Sequence, residues 1–131
     1  MGNLFIEGFS THEPEMIRAS RAVIVTCEEL VSTEEARRHP EHTTIPFLHV
    51  SAVVHQAWGA HPTSVHRYYD YDGDHINQYQ ACARQGGEAL QGYLDRYVYG
   101  CKGFADYLEQ IGGPSRLEGL RASMQSMTRI P

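Results

Sequence analysis

The spacing of apolar positions changes twice in the first half of the chain. In STHEPEMIRASR, residues 10–21, Met16 and Ile17 lie on one face of an expected short helix, with Ser20 extending it. Ser10 with Glu13 makes a capping-box pattern, and Pro14 suits a first helical turn. The next segment, AVIVTC at 22–27, is continuous and β-branched rather than alternating, as in a strand buried on both faces. STEEARRHP then pairs Ser32 with Glu35 in a second capping box, and Pro40 ends that helix. Within TTIPFLHVSAVVHQAW a second strand is expected at about 49–57, with Pro46 at or before its start. A strand, a helical crossover and another strand form a right-handed βαβ-like unit, so the class is α/β with a parallel sheet.

The remainder is helical in pattern. Asp72 or Asp74 is placed to cap a helix through Ile76, Tyr79 and Ala83, which Gly86-Gly87 interrupts. Leu90, Tyr93, Leu94, Tyr97 and Val98 recur at core spacing. Phe104, Tyr107, Leu108 and Ile111 mark a further helix ended by Gly112-Gly113, and Ser115 with Glu118 caps a last one on Leu117, Leu120 and Met124. The pattern offers two strands only. Two strands cannot cover both faces of a parallel sheet, so AVIVTC needs neighbours that this sequence does not supply.

Composition narrows the class further. The 41% hydrophobic and 21% charged content is that of a globular chain, and 131 residues are about one domain. Sixteen acidic against eleven basic residues give −5, with no basic stripe, so no nucleic-acid or membrane partner is expected. No apolar run approaches the roughly 20 residues of a membrane span. No signal peptide or myristoylation pattern opens the sequence. Cys27, Cys82 and Cys101 are an odd set without a CxxC pair, which points to a reducing, cytoplasmic setting.

HRYYDYDGDH, residues 66–75, looks like the opening of a calcium loop. Counted from Asp70, however, position six is His75 and position twelve is Ala81, where an EF-hand needs glycine and glutamate. The helix-cap reading fits better. His55, His61 and His66 lack HxH, HExxH or paired Cys/His spacing, so no metal is assigned. No nucleophile elbow or phosphate-cradling glycine loop occurs. If the two strands are parallel, their carboxyl ends share an edge, where open α/β sheets bind ligands. The segments leaving them offer Glu28 and Glu29 from one, and Gly59, His61, Thr63 and Ser64 from the other. These six are the expected substrate-binding residues. The bland alternative is that the glutamates flank a helix and GAHPTS is a turn.

The ordered blocks GNLFIEGFSTHEPEMIRASRAVIVTCEELVSTEEARRHPEHTTIP, VSAVVHQAWGAHPTS, YYDYDGDH and YLDRYVYG resemble the second half of the α (A) subunit of class I coenzyme A transferases, in the glutaconate CoA-transferase-like branch. The resemblance covers about residues 2–111; 113–131 would be an extra C-terminal helix. It implies a three-layer α/β fold, mainly parallel, incomplete here, with 1–131 a single partial domain. The absent strands would be the N-terminal half of the same subunit. It implies an α2β2 assembly that moves CoA between carboxylic acids by a ping-pong route. The glutamate that forms the glutamyl-CoA thioester lies on the β subunit, and the glycine-rich oxyanion segment lies in the first half of α. No residue here matches either, so no catalytic residue is assigned and the chain alone is expected to be inactive. No tightly bound cofactor is implied; a CoA thioester and a carboxylic acid are substrates. A CoA-thioester ring-opening hydrolase of the same fold stays open, as does a non-catalytic module or inert fragment.

Overall fold

The structure, a computed structural model, describes residues 2–127. Contacts gather into two units, Met1–Gly59 and Ala60–Pro131.

In the first unit, α1 (Glu13–Ala19) precedes β1 (Ile24–Cys27), α2 (Thr33–Arg38) and β2 (Ala52–His55), with 3-10 turns at Pro40–His42 and Phe47–His49. The strands pair in parallel, Ile24 opposite Ala52 through Cys27 opposite His55. They are shorter than the apolar runs suggested, and no further strand joins them among the described residues. AVIVTC is therefore not enclosed here: Ile24 is 73% exposed, and Val53 and Val54 are 38% and 44% exposed. Ser32 Oγ accepts the Glu35 N–H at 3.0 Å, the expected cap of α2. At α1 the cap position is His12 without a side-chain bond, while Glu13 reaches back to the Thr11 N–H at 2.7 Å. Only half of that expected capping box forms. Leu4 bridges antiparallel to Ile45, the best-buried apolar residue of this unit.

The second unit is helical. Its elements are α3 (Gly73–Gln85), α4 (Gly87–Leu94), a π-helical turn (Asp95–Tyr99), α5 (Phe104–Gln110) and α6 (Gly113–Met127). Asp72 caps α3 by accepting the His75 N–H at 3.0 Å. The expected continuous helix through Val98 widens into the π turn instead. Gly100 closes it, because a Cβ there would meet the Asp95 carbonyl oxygen at 2.5 Å. α6 begins two residues before Ser115, so that serine lies inside the helix rather than at its cap position. Tyr69, Tyr97, Leu120 and Met124 are buried. Together the two units make an α/β chain with a small parallel sheet and a helical second part.

Candidate functional site

The carboxyl edge of the sheet is tied together by side chains. The Trp58 N–H donates to Glu28 Oε2 at 2.6 Å, and a ring nitrogen of His55 lies 3.1 Å from the Glu28 carbonyl oxygen. Trp58 sits at φ 67°, a left-handed conformation that bulky residues rarely adopt without support, and Glu28 supplies part of it. A Cβ on Gly59 would stand 2.8 Å from the Gln56 carbonyl oxygen, so the turn leaving β2 requires glycine. The close approach made by Gly59 is thus to its own backbone. Beside this edge, burial and then the Glu28 charge push the Cys27 thiol up, away from a reactive thiolate.

In the second unit a polar network is buried around Asp72. Arg116 Nε donates to Asp72 Oδ2 at 3.0 Å, Arg116 Nη2 donates to Asp72 Oδ1, and the same Nη2 reaches Asp74 at 2.9 Å. His61 Nε2 lies 3.2 Å from Asp72 Oδ2, and His61 Nδ1 lies 2.6 Å from the Tyr107 hydroxyl. Burial alone would raise the Asp72 pKa. The Arg116 guanidinium, the His75 N–H and His61 outweigh it and hold the carboxyl far below the usual range. Asp72 is therefore an ionised acceptor, which places the His61 proton on Nε2 and leaves Nδ1 to accept from Tyr107. Burial lowers the His61 pKa, so the ring stays neutral, and burial raises that of Tyr107, which stays a phenol. His75 lies against Tyr93, with its Nε2 2.8 Å from that hydroxyl, and edge-on to Tyr97 with centroids 4.8 Å apart. Ser123 Oγ donates to Asp70 at 2.9 Å. Every buried side-chain nitrogen and oxygen among the described residues has a partner.

The alternating aspartates thus bind protein groups: Asp72 caps a helix and, with Asp74, clamps α6, while Asp70 receives Ser123. Gly112 makes the clamp possible. It takes φ 122° between α5 and α6, and a Cβ there would strike the Arg116 side chain at 2.9 Å.

The six expected substrate-binding residues fall on both units. Glu28 and Gly59 come together at the sheet edge of the first, and Glu29 beside them is exposed. In the second, Thr63 Oγ1 donates to the Ala60 carbonyl at 2.6 Å as a turn-former, and Ser64 is exposed. Both ring nitrogens of His61 are engaged inside the unit. Sequence reasoning did not find Arg116, Tyr93 or Tyr107 as members of a polar cluster. Tyr93 and Tyr107 carried the right helical spacing for burial, but Arg116 had no local signal.

No protein-family model matches the chain. Among curated proteins, an uncharacterized protein of Archaeoglobus fulgidus is 41% identical over 128 residues, 98% of this chain and 28% of its own length. The α (A) subunit of glutaconate CoA-transferase from Acidaminococcus fermentans is 33% identical over 92% of this chain and 37% of its own length. The corresponding α (A) subunit of 3-oxoadipate CoA-transferase from Pseudomonas knackmussii is 30% identical over 84% of this chain and 38% of its own length. The chain thus spans about a third of the length of the curated relatives it matches. The crystal structure of glutaconate coenzyme A-transferase from Acidaminococcus fermentans superposes with a TM-score of 0.84 at 33% identity, over 90% of this chain and 37% of that one. Shared backbone and shared sequence over the same stretch agree: the chain is homologous to part of the α subunit of CoA-transferases of the glutaconate type.

Proposed function

We infer that the chain serves as part of a CoA-transferase α subunit, in an assembly that moves coenzyme A between carboxylic acids. The observation that carries this reading is its similarity to two α subunits named for different acids, over 92% and 84% of the chain. Within the proposal a β subunit supplies the glutamate that forms the glutamyl-CoA thioester. This chain contributes pocket wall and interface, and a CoA thioester and a carboxylic acid are substrates. Glu28, Glu29 and Gly59 on the first unit and His61, Thr63 and Ser64 on the second are the proposed substrate-side residues. Glu28 and Gly59 would act by holding the backbone and His61 by bridging Asp72 and Tyr107, whereas the exposed Glu29, Thr63 and Ser64 can meet substrate directly.

The uncovered sheet supports dependence on further polypeptide. Its exposed Ile24, Val53 and Val54 are the residue types that strands bury. The missing neighbours are proposed to be the N-terminal strands of an α subunit.

The test is co-expression of the chain with the N-terminal half of an α subunit and with a β subunit, followed by an assay of CoA exchange between dicarboxylic acids. Exchange together with a hydroxylamine-sensitive protein thioester is the expected result. Thioester hydrolysis with no trapped intermediate would assign a ring-opening hydrolase instead. A folded assembly that binds but does neither would make the chain a non-catalytic module.

A further inference from the structure

We propose that His39, Glu41 and His42 form a surface site for a borderline divalent cation of the zinc class. Pro40 opens a 3-10 turn at Pro40–His42, closed by His42 N–H to His39 carbonyl at 3.1 Å and Thr43 N–H to Pro40 carbonyl at 3.2 Å. In such a turn residues three apart eclipse. The imidazoles of His39 and His42 accordingly stack with centroids 4.9 Å apart and planes 11° from parallel. Phe5 stands edge-on to His42 at 6.2 Å, limiting the ring from another side.

The carboxylate of Glu41 lies against both rings. Glu41 Oε1 is 3.2 Å from His39 Nδ1 and 3.7 Å from His42 Nε2, and one donor atom from each of the three residues lies within 4.8 Å of the others. A tetrahedral ion with bonds of about 2.0–2.1 Å separates its ligand atoms by about 3.3 Å. These two separations, 3.2 and 3.7 Å, match that figure within a small side-chain rotation. If His39 binds through Nδ1, its Nε2 faces Glu35 Oε1 at 3.8 Å, in reach of the outer carboxylate that commonly orients a ligating histidine. Two imidazoles and one carboxylate suit zinc, cobalt, nickel or copper, and not magnesium or calcium, which take oxygen sets. The side chains are 47%, 63% and 57% exposed, so the fourth position would be open to water. The site would clip the loop between α2 and β2.

The test is calorimetric titration of the whole chain with zinc alone, and separately with magnesium. One zinc equivalent is expected, with affinity at least tenfold weaker in His39→Ala/His42→Ala. Cobalt should give tetrahedral visible absorption in the unaltered chain that Glu41→Gln diminishes. His12→Ala, which removes a histidine outside the cluster, should leave both signals unchanged. Should the double variant lose its circular-dichroism signature, the single His42→Gln is read in its place, with the same expected weakening. Equal zinc affinity in variant and parent, absence of any zinc heat in the parent, or magnesium binding as tight as zinc would each overturn the site.

Discussion

The two units treat burial in opposite ways. Residues 60–127 bury Tyr69, Tyr97, Leu120 and Met124 and also place His61, Asp70, Asp72 and His75 out of water, each with its hydrogen bonds met. Residues 2–59 bury little beyond Ile45 and Trp58, and leave Phe9, Ile24, Leu30 and Leu48 at 63–90% exposure. A protein buries apolar area because water penalises it by about 25 cal/mol per Å². The helical unit meets that demand with its own residues. The strand-bearing unit does not, and it is the one whose architecture, a parallel sheet, normally requires covering on both faces. By its own packing, the second unit is therefore the better stabilised of the two.

Spectroscopy can break this comparison. The single tryptophan is Trp58, and all eight tyrosines lie at or beyond Tyr68. Tryptophan fluorescence therefore reports the first unit, and near-ultraviolet dichroism of the tyrosines reports the second. The largest effect expected is for Asp72→Ala, which strips Arg116 and His61 of their acceptor and α3 of its cap. The tyrosine-monitored urea transition should lose about 3 kcal/mol, the low end for a broken buried pair because Arg116 is 34% exposed. Survival of that transition unchanged would reduce the network to decoration. Next, Leu120→Ala should cost about 2–3 kcal/mol in the same signal, from lost transfer energy and a residual cavity.

Acidification comes third. Burial, the first cause for both, lowers the pKa of His61 and of His75 from the ordinary 6.5. The unfolded chain then binds more protons than the folded one in that window. Stability of the second unit should fall as pH drops below about 6.5, until the lowered folded values are passed. Replacing His75 by glutamine should flatten part of that slope in urea midpoints taken from about pH 7 to 5. A slope identical to the parent's would mean that burial does not hold the ring neutral. The smallest effect is expected for Val54→Ser, within about 0.5 kcal/mol by Trp58 fluorescence of the chain alone, as for other exposed positions. The same change should lower recovery of the assembly co-expressed with an N-terminal half and β subunit. Equal recovery would remove the argument that β2 is normally covered.

Much of the local structure was readable because its causes are local. A serine three residues before a glutamate caps α2 through one short hydrogen bond, and Asp72 does the same for α3. Gly86 and Gly112 interrupt helices through their backbone freedom, at φ 66° and 122°. The capping boxes at Ser10 and Ser115 misled because the same short pattern occurs where packing starts the helix elsewhere. The run AVIVTC was legible as a strand, yet its length was not, since only Ile24–Cys27 find a ladder partner.

The sequence by itself determined the order of helices and strands, the parallel pairing, the apolar face of α6 and the likeness to part of a CoA-transferase α subunit. Tertiary structure alone decided that Asp72 would meet Arg116, 44 positions away, and that His61 would meet Tyr107, 46 positions away. Capping and periodicity act over a turn or two of chain. Partners at such separations are chosen by how whole helices pack, and nothing in either residue's immediate neighbourhood records that choice.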